Sequence, residues 1–202
     1  WWPFNGNAND ESGNGNNGVV NGATLTLDRF GNLNSAYSFN GISDSIIAGN
    51  NNFPPGNLPR TLSIWFNIQE LPSPGTSFVL FNYGTNISNR ACGIGVTNIG
   101  LSFFSWLAPN DLEGIIPINL NQWYNVSASF DGVNSKLFLN GSLIASGDQI
   151  KDTLINSNSV IGSNFNTQYT LGKIDDIGIW NRALTQEEII NLYNSSLSTQ
   201  DF

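Results

Sequence analysis

The fold is decided by the stretch from Asn125 to Ser146, which has the sequence NVSASFDGVNSKLFLNGSLIAS. Apolar and polar residues alternate in its first arm, the apolar ones being Val126, Ala128 and Phe130. A turn over Asp131–Asn134 follows, and Asn140–Gly141 makes a second tight turn after the next apolar run. Alternation with a period of two is typical of an antiparallel sheet with one solvated face. Asn-Gly is a strong short-range hairpin signal.

The same chemistry recurs along the chain. Asn-Gly pairs begin at Asn5, Asn14, Asn17, Asn21, Asn40 and Asn140. Short β-branched and aromatic runs between the turns predict strands at Ala36–Phe39, Thr61–Ile68, Phe78–Tyr83, Gly93–Thr97, Leu101–Trp106, Tyr124–Asp131, Ser135–Leu139, Ser159–Ile161 and Leu171–Trp180. One helix is predicted over Leu184–Tyr193, with Thr185 as N-cap and Glu188 completing a capping box. Many short strands at near-regular spacing predict an all-β sandwich or barrel.

Composition excludes several classes of function. The chain has 202 residues, a length that fits one domain, and only 11% of them are charged against roughly 25% in an average soluble domain. A net charge of -8 argues against binding to nucleic acid or to anionic membranes. The chain has no His and a single Cys, so imidazole-based catalysis and an internal disulfide are excluded, and we expect Cys92 to be a small buried hydrophobe. No apolar run is long enough to span a membrane.

Seven motifs, two of them in two parts, resemble, in their order, those of the LamG-like (laminin G-like) jelly rolls of the concanavalin A-like class. They are Asp10–Gly18, Ala36–Gly41, Thr61–Phe66, Gln122–Val126, Phe130–Gly132, Leu137–Gly141, Gly172–Asp176, Trp180–Leu184 and Thr185–Tyr193. The resemblance implies a two-sheet antiparallel jelly-roll sandwich over residues 1–194 with one short C-terminal helix, followed by a linker stub over 195–202. It also implies an extracellular or cell-surface domain, cut from a larger secreted bacterial protein.

The resemblance further implies a structural Ca²⁺ ion, held where the loop that contains Asp10 meets the strand that carries the late Asp pair, Asp175 and Asp176. The nominated ligands are Asp10, Asn14, Asn16, Gly41, Asp175 and Asp176. Such an ion would fix loop and strand ends together and stabilise the fold by mass action. The alternative is that Asp10 begins a simple Asx turn and Asp175 caps a strand end.

Exposed aromatic rings and side-chain amides suit carbohydrate binding, because rings stack on the apolar faces of sugars while amides bond their hydroxyls. We expect the ligand surface on the concave sheet and its rim, formed by Tyr83, Arg90, Trp106, Asn164, Gln168 and Tyr169. The alternative is that these are ordinary surface and core residues. Trp65 and Trp123 are predicted to pack in the core, Trp180 to lie beneath the helix, and Trp1 and Trp2 to begin the first strand.

The leading hypothesis is a non-catalytic carbohydrate-binding module of a larger secreted or cell-surface protein. Its partners would be a polysaccharide or glycan and the other domains of the same parent chain. The alternative is a structural or adhesive spacer domain of a surface protein without a glycan ligand. A minor alternative is a polysaccharide-degrading enzyme on the same fold. Glycoside hydrolysis usually needs two carboxylates flanking the scissile bond, but the chain has no E-x-D-x-x-E run, and of its Glu residues only Glu113 lacks an obvious structural role.

Overall fold

The computed structural model describes residues 1–106, 111–164 and 168–195. Within these residues the strands are β1 (Val19–Asn21), β2 (Thr24–Thr26), β3 (Ala36–Asn40), β4 (Ser45–Ala48), β5 (Arg60–Ile68), β6 (Ser77–Gly84), β7 (Ala91–Thr97), β8 (Gly100–Phe104), β9 (Leu112–Ile115), β10 (Tyr124–Phe130), β11 (Asn134–Leu139), β12 (Ser142–Asp148), β13 (Ser159–Ile161) and β14 (Leu171–Trp180). The helix α1 spans Gln186–Asn194. The predicted linker stub lies outside the described residues except for Ser195, whose amide caps α1 by donating to the Asn191 carbonyl.

Two seven-stranded antiparallel sheets form a jelly-roll sandwich, as predicted. The first sheet has the order β1-β4-β13-β6-β7-β8-β9, and the second has the order β12-β11-β10-β5-β14-β3-β2. The hairpin that decided the fold is β10–β11–β12, with Val126 opposite Leu139 and Phe130 opposite Ser135. No helix among the described residues is long and apolar enough to cross a bilayer.

The core lies between the two sheets. Alternate residues of each strand point inward, and the largest of them are fully buried aromatic side chains, including Phe66, Phe81, Phe103 and Phe130. Cys92 is buried among them, as predicted. Because one face of every strand in the first sheet is used for this core, the residues between the inward ones form a continuous outer face, and that face carries the site described below.

The helix α1 packs on part of the outer face of the second sheet. Its capping box is formed as predicted, with Thr185 Oγ1 accepting from the Glu188 amide and Glu188 accepting from the Thr185 amide. Ile189 and Leu192 of the helix pack on Trp180, which lies beneath it as predicted.

The predictions for four other tryptophans need correction. Trp65 and Trp123 are only half-buried, because they belong to the outer face of the second sheet rather than to the core. The Trp65 ring contacts the Arg29 guanidinium, 4.4 Å from its centroid, and stacks with the Tyr193 ring at 5.7 Å. Trp1 and Trp2 do not begin a strand, since Trp2 makes only an isolated bridge with Ile177.

Candidate ligand-binding groove

A groove of about 350 Å³ runs across the outer face of the first sheet, over β6, β7, β8 and β9. Strand register defines its floor. Val79 lies opposite Gly95, Gly95 opposite Ser102, and Ser102 opposite Glu113, so these residues form one row across the four strands. The next row contains Asn82, Gly93 and Phe104.

The two glycines of β7 make room for an aromatic floor. A Cβ atom on Gly93 would lie 2.3 Å from Cζ of Phe104 and 2.6 Å from the Phe81 carbonyl oxygen. A Cβ atom on Gly95 would lie 3.8 Å from Cε1 of the same ring. The Phe104 ring therefore leans across the strand over bare backbone, and any larger residue at Gly93 would have to displace it.

Two groove-lining residues, Trp106 and Gln168, have left-handed backbone conformations, with φ of 66° and 51°. This region is unfavourable for residues with a Cβ atom and is over-represented at ligand sites. Trp106 follows the end of β8, and its carbonyl accepts a hydrogen bond from the Asn89 amide at 3.1 Å. β8 ends at Phe104, two residues earlier than predicted, and the half-buried Trp106 side chain is part of the groove lining.

Of the described residues that line the groove, the two charged ones are both acidic. Asp111 precedes β9 and Glu113 lies within it, two residues apart. Asp111 Oδ1 accepts from the Ser105 amide at 2.7 Å. Burial raises the pKa of Asp111 above its ordinary value, and the neighbouring Glu113 adds to this, while the Ser105 amide and the Lys151 ammonium oppose it.

The structure brings some of the predicted ligand residues together. Trp106 and Gln168 both line the groove. Asn164 is fully buried behind them and donates from Nδ2 to Gln168 Oε1 at 2.9 Å, so it positions Gln168 instead of presenting its own surface.

The other three predicted ligand residues are not part of the groove. Tyr83 is 0% exposed and points into the core, where its hydroxyl accepts from Arg60 Nη1 at 2.9 Å. Arg90 lies outside the groove and pairs with Asp152 at 2.9 Å. Tyr169 is half-buried and does not line the groove. Tyr83 is therefore a wrong prediction, since no surface ligand can reach it.

Sequence reasoning missed Ser102, Phe104 and Asp111 as groove residues. The signal that could have found them is the alternation in Gly93–Thr97, where small residues at every second position mark an outer face that approaches something closely. The partner strand supplies an aromatic ring over those glycines.

Residues 39–190 match the family model described as the concanavalin A-like lectin/glucanases superfamily. The chain belongs to this superfamily. No curated protein matches the chain by sequence.

Several solved structures share the fold of this chain. Domain 4 of AbnA, a GH43 extracellular arabinanase from Geobacillus stearothermophilus, solved in complex with arabinotriose, superposes with a TM-score of 0.75 at 22% identity, over 94% of both chains. The binding domain of Paraclostridial Mosquitocidal Protein 1 gives 0.71 at 21% identity. The binding domain of Botulinum Neurotoxin DC in complex with SialylT gives 0.70 at 19%. The present chain is covered to 92% in both, and spans 49% and 48% of those chains.

The residues nominated for calcium do not form one oxygen-lined site in this concanavalin A-like domain. Asp10 makes the Asx turn of the alternative hypothesis: its Oδ1 accepts from the Ser12 amide and hydroxyl at 3.0 and 2.6 Å, and its Oδ2 accepts from the Asn16 amide at 2.9 Å. The Asn16 side chain is paired in both directions with the backbone of Asn51. The Asn14 side-chain oxygen accepts from Asn52.

The late Asp pair is bound by a cation of the protein itself. Arg29 contacts Asp175 Oδ2 at 2.8 Å and Asp176 Oδ2 at 2.7 Å, with its own side chain 6% exposed. Gly41 donates to the carbonyl of Thr170, the residue before β14, and the five residues from Thr170 to Asp175 place it roughly 16 Å along the strand from Asp175. Among the described residues no group of three or more acidic, Cys or His side chains could hold a metal. This donor set does not fit calcium, and calcium binding stays a prediction.

Proposed function

We propose that this domain is a non-catalytic carbohydrate-binding module of a larger secreted or cell-surface protein, and that it binds glycan in the groove over β6–β9. The observation that carries the proposal is the groove itself. Phe104 and Trp106 supply apolar ring surface, and Ser102, Thr97 and Gln168 supply hydroxyl and amide groups beside it. Sugars need both, because their ring faces are apolar and their edges carry hydroxyls.

The similar structures support glycan as the ligand class. The AbnA domain was solved with arabinotriose and the toxin binding domain with SialylT. At identities of 22% and 19% the likeness shows the fold alone, so ligand and location are proposed here from the groove of this chain. The AbnA protein is described as extracellular, which supports the proposal that the parent protein is secreted.

An enzyme is the second candidate, because Asp111 and Glu113 line the groove and burial raises the pKa of Asp111 as it would for a general acid. However, both carboxylates come from one edge of the groove, at neighbouring outward positions of the β9 segment. Glycoside hydrolysis needs two carboxylates that flank the scissile bond. Asp111 is also engaged by the Ser105 amide. The geometry therefore favours acceptors for sugar hydroxyls over a catalytic pair.

The test is a glycan array followed by calorimetry on wild type and Trp106→Ala. Loss of a central aromatic contact is expected to weaken binding by about 2 kcal/mol, or roughly thirtyfold. Phe30→Ala is the matched control, because Phe30 is an exposed aromatic (66%) that does not line the groove. If Trp106→Ala binds glycan as tightly as wild type, the groove is not the glycan-binding site.

A further assay separates the three hypotheses. Incubation of the protein with any oligosaccharide that it binds is expected to release no new reducing ends. Turnover that disappears in Glu113→Gln would establish the enzyme instead. A structural spacer would show no glycan binding in the first experiment at all.

A further inference from the structure

The groove carries charge of one sign. Among the described residues that line it, Asp111 and Glu113 are charged and no Lys or Arg is present. The stretches 107–110 and 165–167, whose structure is not described, contain no charged residue in the sequence. The chain as a whole carries a net charge of -8. The local field and the overall field therefore have the same sign.

Two cationic side chains lie near the groove without lining it, and the buried Lys151 ammonium offsets part of the charge of Asp111. Lys151 donates to Ser105 Oγ at 2.9 Å, but its ammonium lies 3.6 Å from the Phe103 ring, on the core side of β8, and the residue is 2% exposed. Arg90, on the hairpin whose Asn89 bonds to Trp106, is neutralised by Asp152 at 2.9 Å. Neither side chain is among the residues that line the groove.

We propose that the groove selects neutral glycans and rejects glycans that carry carboxylates, such as sialylated or uronic acid oligosaccharides. This inference rests on the proposed glycan binding and names the ligand class of the same site. Neutral sugars offer hydroxyl donors, and ionised Asp and Glu are acceptor-only groups whose hydrogen bonds are charge-assisted. A ligand carboxylate placed beside the same two groups meets like charge in a partly desolvated groove, which opposes binding.

The proposed preference for neutral glycans distinguishes between the ligands of the two similar structures. Arabinotriose, bound to the AbnA domain, is neutral, whereas a sialylated ligand is anionic. The present groove matches the first class, because anion recognition is ordinarily built from Arg guanidinium forks or Lys ammonium groups, and the described lining has neither.

The experiment compares glycans of matched size that differ in charge: galactotriose with trigalacturonic acid, and fucosyllactose with sialyllactose, beside neutral arabino-, xylo-, gluco- and manno-oligosaccharides. Calorimetry at about 20 mM and about 500 mM salt changes the screening length severalfold. We expect the neutral member of a bound pair to bind at least about tenfold more tightly at low salt, and the ratio to shrink at high salt.

The double variant Asp111→Asn and Glu113→Gln removes both charges with little change of shape, since an amide oxygen at position 111 still accepts from the Ser105 amide. It is expected to bind the neutral member more weakly and the acidic member more tightly, bringing the two within about threefold. Glu187→Gln is the control for overall charge, because Glu187 is exposed on α1, over the other sheet. It is expected to leave the ratio unchanged.

The outcomes separate the two proposals. Acidic members that bind wild type as tightly as neutral ones refute the charge selection and leave glycan binding intact. A neutral preference that the double variant keeps also refutes it, because the carboxylates would not be its cause. If no glycan in the panel binds, the proposed function itself fails, and the selection fails with it.

Discussion

Lys151 allows a quantitative prediction, because the fold buries this lysine and no acidic side chain among the described residues pairs with it. The residue is 2% exposed, its ammonium lies over the Phe103 ring at 3.6 Å, and Ser105 Oγ accepts its hydrogen bond. Burial lowers the pKa of Lys151 from 10.5 to about 8, with Arg60 acting in the same direction and Cys92 and Asp111 opposing it. At neutral pH the folded protein therefore carries a charged group that the unfolded chain holds at lower free energy.

The size and sign of the effect follow from linkage. A shift from 10.5 to about 8 corresponds to about 3 kcal/mol. Because the folded pKa is depressed, the unfolded state binds more protons between about pH 8 and 10.5, so this group makes stability rise with pH in that window. Below about pH 8 the full penalty is present. By pH 9.5 about 2 kcal/mol should have been regained.

The perturbation is Lys151→Met, which removes the buried charge and keeps an unbranched apolar side chain. Losing the bond to Ser105 costs about 1 kcal/mol, so the variant should be about 2 kcal/mol more stable than wild type at pH 7 and about equal to it near pH 9.5. Urea unfolding at both pH values measures the difference, and exposed Lys136→Met is the control. The reasoning would be refuted by a Lys151→Met variant that is less stable than wild type by the same amount at both pH values.

Three further predictions concern the groove and the calcium hypothesis. Trp106→Gly should be more stable than Trp106→Ala by about 0.5–1 kcal/mol in urea unfolding, because φ is 66° there; the usual order, with Ala more stable, would contradict this conformation. Lowering the pH from 7 to 5 should raise the affinity for acidic glycans relative to neutral ones in calorimetry. Burial raises the pKa of Asp111, so this groove charge is lost before those of ordinary carboxyls. A fall in the relative affinity for acidic glycans would contradict the role of Asp111 in charge selection. Thermal melting in EDTA and in millimolar Ca²⁺ should give the same Tm, because Arg29 already pairs with both Asp175 and Asp176; a rise of several degrees with Ca²⁺ would support the calcium site that the resemblance implies.

The elements that sequence predicted best are those with local signals. The β10–β11–β12 hairpin follows from period-two alternation and two tight turns, and α1 follows from a capping box and helical spacing. Strands such as β9 were missed because their formation depends on pairing. Leu112–Ile115 contains Glu and Gly, which are poor strand formers, and it becomes a strand because it pairs with the free edge of β8.

The groove was predicted less well because the outer and inner faces of an apolar strand cannot be told apart from the strand alone. Phe103 and Phe104 are adjacent and both aromatic, yet one is core and the other is groove floor. Pairing with β7 decides between them, since Phe104 lies opposite Gly93 and Phe103 opposite Ile94. Trp106 was found because an aromatic at a strand end followed by a loop is a local signal.

The wrong prediction for Tyr83 also arose because the face of a strand residue depends on strand pairing. Here a one-residue bulge in β6 decides which face Tyr83 occupies. Regular alternation from Ser77 and Val79, which face outward, would place Tyr83 on the outer face as well. The ladder between β6 and β7 shifts register between Val79 and Phe81. A bulge of one residue reverses the facing of everything beyond it, so Tyr83 turns into the core, where Arg60 donates to its hydroxyl. Asn82 takes the outward position in its place, beside Gly93 and Phe104. The composition of the groove floor therefore depends on a register shift that no side-chain pattern within β6 reveals.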